Sequence, residues 1–129
     1  MNQHAEEIYK GLVKSGAIGS LKRDILLEAA VDVDYIVHIY SRIKTFSFEA
    51  TSHTVDLTFQ VVKDLCTKGL CNYAMWGDGP DSIERLQIAD SQLYREISDY
   101  ESLIFNRFLV TTELGDQWVL RYQTMIKEL

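Results

Sequence analysis

The side chains of this sequence that could bind a metal ion are few and poorly spaced for the task. His4 lies near Glu7, and His38 precedes His53, but neither pair has the close helical spacing of a zinc motif. A surface histidine, or one hydrogen-bonded within the fold, explains each of these positions better. We therefore expect no metal site and no cofactor.

Covalent chemistry has no recognisable motif either. Serines, histidines and aspartates are present, but there is no nucleophile elbow. Cys66 and Cys71 lie in apolar surroundings, which is typical of reduced, buried thiols in a cytoplasmic chain. Gly77-Asp78-Gly79-Pro80 is followed by no Lys-Ser or Lys-Thr pair, so it predicts a turn rather than a phosphate loop. The sequence predicts a protein that is not an enzyme, with a small enzyme whose pocket leaves no motif as an alternative.

Hydrophobic periodicity predicts helices in the first part of the chain. The first helix runs from Gln3 to Lys14 and stops at Ser15-Gly16. An apolar stripe then continues from Leu21 to Ile43, with Ser20 as the expected cap. This stripe predicts either one long helix or two helices with a break near Asp32 to Asp34, because aspartate and β-branched residues are middling helix formers.

The second part of the chain alternates helices with strand-like runs. A helix from Thr54 to Lys68 stops at Gly69, and the strand Leu70 to Trp76 follows. After the glycine-rich turn, Asp81 or Ser82 is expected to cap a polar helical insert, and Phe108 to Thr112 forms a second strand. Phe46 to Glu49 is a link or a small first strand, and Trp118 and Tyr122 lie on the closing helix.

These elements predict a single domain over residues 1–129, of the mainly α (α+β) class. The expected architecture is a helical domain with a small antiparallel β-hairpin and a helical insert. Its core is expected to contain one set of buried apolar side chains: Ile36, Tyr40, Phe59, Val62, Leu65, Trp118 and Tyr122.

Charge restricts the kind of partner. The net charge is −6, whereas proteins that bind nucleic acid need a surplus of lysine and arginine. This balance favours a basic protein partner, although solubility alone also explains an acidic surface. No apolar run has the length of a membrane span, and the first residues lack the pattern of a signal peptide, so we expect no membrane partner and a cytoplasmic location.

Two groups of acidic residues could form an interface. Asp24, Glu28 and Asp32 would form one stripe if the helix continues through them. The insert and its neighbouring strand combine acids with aromatics, which suits a protein interface because aromatics anchor it and acids steer it. Tyr94 and Tyr100 are the expected anchors, dispensable for the stability of the free chain. The predicted partner-binding set is Tyr73, Trp76, Asp78, Asp81, Glu84, Asp90, Tyr94, Glu96, Asp99, Tyr100 and Glu101, and the alternative for Tyr73 and Trp76 is a place in the core.

The order of these elements resembles the winged-helix pattern of small bacterial proteins. The resemblance covers Thr54 to Gly77 and Phe108 to Tyr122, with Gly69-Leu70 ending the recognition-type helix and Thr111 to Gly115 opening the last one. The profile of a small, acidic, cytoplasmic chain without an active site is similar to that of immunity proteins, including those of contact-dependent growth inhibition systems. The segment Val55 to Asp64 departs from helices that read DNA, because it contains one lysine, two aspartates and no arginine.

The resemblance implies a non-catalytic protein-binding module, an immunity protein that covers the active site of a basic toxin. A winged-helix transcriptional regulator is the alternative, and a small enzyme is the second. The regulator would need a basic patch in which several dispersed residues converge: Lys10, Lys14, Lys22, Arg23, Arg42 and Lys44. Oligomeric state is left open by the sequence.

Overall fold

The computed structural model describes residues 3–47, 51–103 and 106–121. This part of the chain forms helices that flank one small sheet, so the predicted mainly α (α+β) class is confirmed. The elements are α1 (Gln3–Lys14), α2 (Ala17–Val31), β1 (Asp34–Tyr35), α3 (Ile36–Ser47), α4 (Thr51–Thr67), β2 (Cys71–Trp76), β3 (Ile83–Arg85), α5 (Asp90–Ser98), a 3-10 helix (Tyr100–Leu103), β4 (Phe108–Thr111) and α6 (Glu113–Leu120).

The sheet is antiparallel throughout, in the order β1-β4-β2-β3. The first strand lies between α2 and α3 in the chain and pairs with β4, which in turn pairs with β2. The predicted order of a helix, two strands that pair with each other and a closing helix is present as α4, β2, β4 and α6. Between β2 and β4 the chain carries β3, α5 and the 3-10 helix.

The apolar stripe from Leu21 to Ile43 is divided between two helices. Helix α2 ends at Val31, and Asp34 is only 1% exposed, in the two-residue strand β1. Its carboxylate accepts hydrogen bonds from both terminal nitrogens of Arg42, at 2.7 and 2.9 Å. The small first strand therefore lies here. A strand at Phe46 and Ser47 is wrong, because both belong to α3, while Phe48 and Glu49 lie outside the described residues.

The expected cap at Ser20 is also wrong. Helix α2 already begins at Ala17, after Gly16 adopts a left-handed conformation with φ of 86°. Because Gly16 tolerates positive φ, the chain turns tightly between α1 and α2 and places Ser20 within the helix.

The first part of the insert is a strand and not a helix. Asp81 has a positive φ of 57°, and the Gly77 N–H donates to the Ser82 carbonyl oxygen at 2.8 Å, closing a hairpin. Ile83 pairs with Trp76, and α5 begins only at Asp90. A cap at Asp81 or Ser82 is therefore wrong, because both residues lie in the hairpin turn and the residues that follow them pair with the edge of β2.

Gly69 and Thr112 join the end of α4 to the start of α6. Gly69 has a left-handed φ of 74°, as its predicted role as a helix stop requires, and the Leu70 N–H donates back to the Leu65 carbonyl at 3.0 Å. The Thr112 hydroxyl donates to the Gly69 carbonyl at 2.5 Å and accepts from the Gly115 N–H at 3.0 Å. One threonine thus caps α6 and holds it against the end of α4.

The main core lies between the helices and one face of the sheet. Of the predicted core residues, Ile36, Tyr40, Val62 and Leu65 are buried in it. Phe59 and Trp118 are partly buried and pack against it, whereas Tyr122 lies outside the described residues. On the other face of the sheet, a second cluster buries Val33, Ala74 and Phe108, with Tyr35, Trp76 and Val110 around them. Among the described helices, none has the length and apolarity that crossing a bilayer demands.

Candidate partner-binding surface

Helix α4, predicted from the sequence as the recognition-type helix, is packed on several sides by the rest of the fold. It contacts α1, α2, α3, α5 and β2. Every residue from 53 to 66 is buried or only partly exposed. A helix that enters a DNA groove must present a solvent-accessible face to the bases. Over this range α4 has no fully exposed residue, although Lys63 keeps 40% of its side chain exposed.

A polar network around Asp64 closes one side of α4. Its carboxylate accepts hydrogen bonds from the Tyr9 hydroxyl, the Lys22 Nζ at 3.3 Å and the Gln60 Nε2 at 2.8 Å. Although burial opposes the shift, these bonds hold the pKa of Asp64 below its usual range. Burial also lowers the pKa of Lys22. Helices α1 and α2 are therefore fixed to α4 by charged, partly buried contacts.

Helix α5 closes another side of α4. The Tyr94 hydroxyl donates to Oδ1 of Asp56 at 2.5 Å, and its ring meets Phe59 edge-on with centroids 5.4 Å apart. The hydrogen bond to Asp56 and burial raise the pKa of Tyr94 to about 12. Lys63 and Asp90 form an ion pair at 3.0 Å between the same helices. The insert thus covers the helix that a DNA-reading protein would leave open.

Two predicted interface residues, Tyr73 and Glu96, belong to an internal network. Tyr73 is 5% exposed, and its hydroxyl donates to Oε1 of Glu96 at 2.8 Å. The Arg107 Nε donates to the same oxygen at 2.8 Å. Although burial opposes the shift, the bonds from Tyr73 and Arg107 hold the pKa of Glu96 below its usual range. These groups join α5 to the sheet, and the structure does not leave them free to meet a partner.

The remaining aromatics of the predicted set also pack within the fold. Tyr100 stacks on Tyr40 with ring centroids 4.0 Å apart, and Trp76 is tilted against Phe108 at 4.7 Å. Tyr94 keeps an exposure of 38%. Tyr94 and Tyr100 were expected to be dispensable for the stability of the free chain; because both hold the insert to helices of the main core, we now expect their replacement to lower that stability.

The remaining acids of the predicted set are exposed: Asp78, Asp81, Glu84, Asp90, Asp99 and Glu101. Asp99 accepts a hydrogen bond from Ser102 at 3.0 Å, and Glu101 accepts one from Tyr100 at 3.3 Å. Asp78, Asp81 and Glu84 lie on the β2–β3 hairpin. Within the described part of the chain, no ion pair includes these hairpin acids.

The other charged groups predicted from sequence are distributed differently. Asp24, Glu28 and Asp32 are exposed along α2 and its end. Three of the candidate basic residues are paired with acids: Lys22 with Asp64, Arg23 with Asp24, and Arg42 with Asp34. The pairing reduces the positive charge that these residues offer to a phosphate backbone.

Within the described residues, the histidine and cysteine side chains do not come together as a metal site. His4 contacts His53 edge-on with ring centroids 4.7 Å apart, a pairing that the sequence did not reveal. No described group of three or more histidine, cysteine, aspartate or glutamate side chains could hold a metal ion. Burial raises the pKa of the free thiol of Cys66 to about 11, and it raises that of Cys71 as well. Such thiols are poor nucleophiles.

A small cleft lies between α4, β2 and the segment before α5. Its volume is about 170 Å³, and its walls include both thiols together with Lys63 and Asp90. Lys63 and Asp90 already neutralise each other across it. Neither Lys63 nor Asp90 is therefore free to bind a charged substrate in this cleft.

Comparisons of this chain with protein-family models, with curated proteins and with solved structures find no match.

Proposed function

We propose that this protein is a non-catalytic binding module that neutralises a basic partner protein, as an immunity protein covers the cationic active site of a toxin. The observation that carries the proposal is the enclosure of α4 by α1, α2, α3 and α5. The insert packs against α4, so this helix is not free to bind DNA. The surface of the insert takes the position that a wing would have. What the module presents instead is an acidic hairpin, on which Asp78, Asp81 and Glu84 are exposed.

The negative charge of this protein indicates that its partner is basic. The net charge of −6 and the exposed hairpin acids Asp78, Asp81 and Glu84 attract a cationic surface. A nuclease toxin must have such a surface, because it binds the phosphates of its substrate. Covering that cleft blocks substrate without any chemical step on the part of the inhibitor.

Affinity capture with matched charge variants tests the proposal. The hairpin variant combines Asp78→Asn, Asp81→Asn and Glu84→Gln, and the stripe variant combines Asp24→Asn, Glu28→Gln and Asp32→Asn. Both remove the same formal charge from exposed positions. We expect the parent and the stripe variant to recover one basic protein from the source cell, and the hairpin variant to recover much less of it.

The toxin gene is expected beside the gene of this protein. Recovery of nucleic acid in place of a protein would contradict the proposal, as would failure to recover any basic protein. Loss of the partner from the stripe variant alone would move the interface to α2.

A further inference from the structure

Strand β3 has an open edge. It lies at the end of the sheet order, and within the described residues it pairs with β2 alone. Ile83, Glu84 and Arg85 are all exposed. An open strand edge offers main-chain donors and acceptors to another extended chain.

The ladder register shows which main-chain groups point outward. The Gly77 N–H donates to Ser82 and the Leu86 N–H donates to Tyr73, so alternate pairs of this antiparallel ladder exchange hydrogen bonds. By that alternation Glu84, which faces Met75, directs its N–H and C=O toward β2. Ile83 and Arg85 direct theirs away from the sheet. The open edge thus presents the N–H and C=O groups of two residues to an incoming strand.

The side chains of β3 differ between the two faces of the sheet. Ile83 pairs with Trp76, so it lies on the face of the second apolar cluster, and it is 36% exposed. Glu84 lies on the opposite face. An added strand would bring its side chains beside these two residues in turn.

The charge beside this edge is negative. Asp78 and Asp81 in the turn and Glu84 on the strand outnumber Arg85, the basic residue of β3. Natural edge strands that avoid pairing are commonly very short or carry charges, proline or a bulge, and β3 is three residues long with charges at Glu84 and Arg85. These charges and the turn acids select against most chains, but they favour a basic one.

We propose that β3 accepts an extended segment of the basic partner as an additional strand of this sheet. The segment places an apolar side chain beside Ile83 and a lysine or arginine beside Glu84. This inference rests on the proposed function, because it assigns the surface on which the basic partner is held. The main chain supplies the affinity, and the alternation of apolar and basic side chains supplies the specificity.

Amide hydrogen exchange with a synthetic peptide tests the edge without the natural partner. The probe is a short peptide in which lysine and valine alternate, and the matched control replaces each lysine with glutamate. At about 1 mM probe, the Ile83 and Arg85 amides are expected to exchange about tenfold more slowly, while the Glu84 amide, already bonded to β2, changes little. Unchanged exchange at Ile83 and Arg85, or an equal effect of the glutamate peptide, would overturn the inference.

A pair of variants tests the same edge with the captured basic protein. Arg85→Pro deletes an outward N–H that β2 does not use, and edge strands tolerate proline at such positions, whereas Arg85→Ala removes only the side chain. Melting curves verify that both variants fold. We expect Arg85→Pro to bind the captured protein at least about tenfold more weakly than Arg85→Ala does. Equal binding would refute pairing at β3 and leave the proposed function standing. Without any captured basic protein the proposed function fails, and with it the assignment of a partner to this edge; the peptide experiment then decides only whether β3 pairs with a basic extended chain.

Discussion

Replacing Gly115 with alanine is expected to lower the free energy of unfolding by about 3 kcal/mol, because the new methyl group has no space. A Cβ at this position would lie 2.1 Å from the carbonyl oxygen of Leu70. That oxygen is itself held, since it accepts the Thr112 N–H at 3.1 Å. Relief would therefore require α6 to move away from the end of α4. Urea denaturation of both proteins measures the difference.

Gly11→Ala is the matched control, because it adds the same methyl group to another helix. Gly11 is exposed within α1, and nothing lies within 4 Å of a Cβ built on it. Alanine favours the helix over glycine, so this change should raise the free energy of unfolding by about 0.5–1 kcal/mol. Similar effects of the two changes would show that the close approach of α6 to Leu70 is not formed.

Replacing Arg42 with methionine should cost about 3 kcal/mol of stability at neutral pH, because it leaves a buried carboxylate unpaired. Asp34 is 1% exposed and receives two hydrogen bonds from Arg42. The comparison is Arg23→Met, which breaks the exposed pair with Asp24 and should cost between 0 and about 1 kcal/mol. Thermal or urea unfolding separates the two outcomes.

The pH dependence of the stability of Arg42→Met tests whether the unpaired Asp34 carboxylate causes its loss of stability. Burial raises the pKa of Asp34 above its usual value of 3.8, and the bonds and charge of Arg42 oppose this rise. Without Arg42 the pKa rises further, so the native state binds a proton that the unfolded state has released. Stability then falls as the pH rises through the native pKa. The deficit of Arg42→Met should shrink as the pH is lowered toward 3.8, and a deficit independent of pH would exclude the buried carboxylate as its cause.

Elements whose signals lie within a few neighbouring residues could be predicted from the sequence. Helix α1 has the predicted bounds Gln3–Lys14, because its apolar spacing and the Ser15-Gly16 stop act locally. Gly69 ends α4 with the expected positive φ. The side chain of Thr112 caps α6 in the segment predicted to open that helix.

The short strands could not be predicted in the same way. Strand β1 has two residues and β3 has three, and each exists because another strand offers it a partner. The sequence predicted either one long helix or a break near Asp32 to Asp34, and it did not indicate the pairing of Asp34 with Leu109, which lies far along the chain. Ile83 fits an imperfect helical stripe equally well until β2 is known to lie beside it.

The candidate surface could be predicted only in part, because contacts between residues distant in the chain leave no local signal in the sequence. Composition and spacing place acids and aromatics on the insert, and the acids of the hairpin are exposed. Nothing in the local sequence indicates that Tyr73 and Arg107 converge on Glu96, or that Tyr94 reaches Asp56. Each contact joins residues distant in the chain, and only the packing of α5 on α4 and the sheet brings them together.

The measurement that tests the proposed function most directly is the rate of association with the captured basic protein at several salt concentrations. If the exposed acids of the hairpin steer the partner, the hairpin variant should associate about tenfold more slowly than the parent at low salt, and its rate should depend less on salt. The stripe variant, which loses the same charge, should keep most of the parent's rate and salt dependence. Equal rates for the hairpin variant and the parent at every salt concentration would contradict the account.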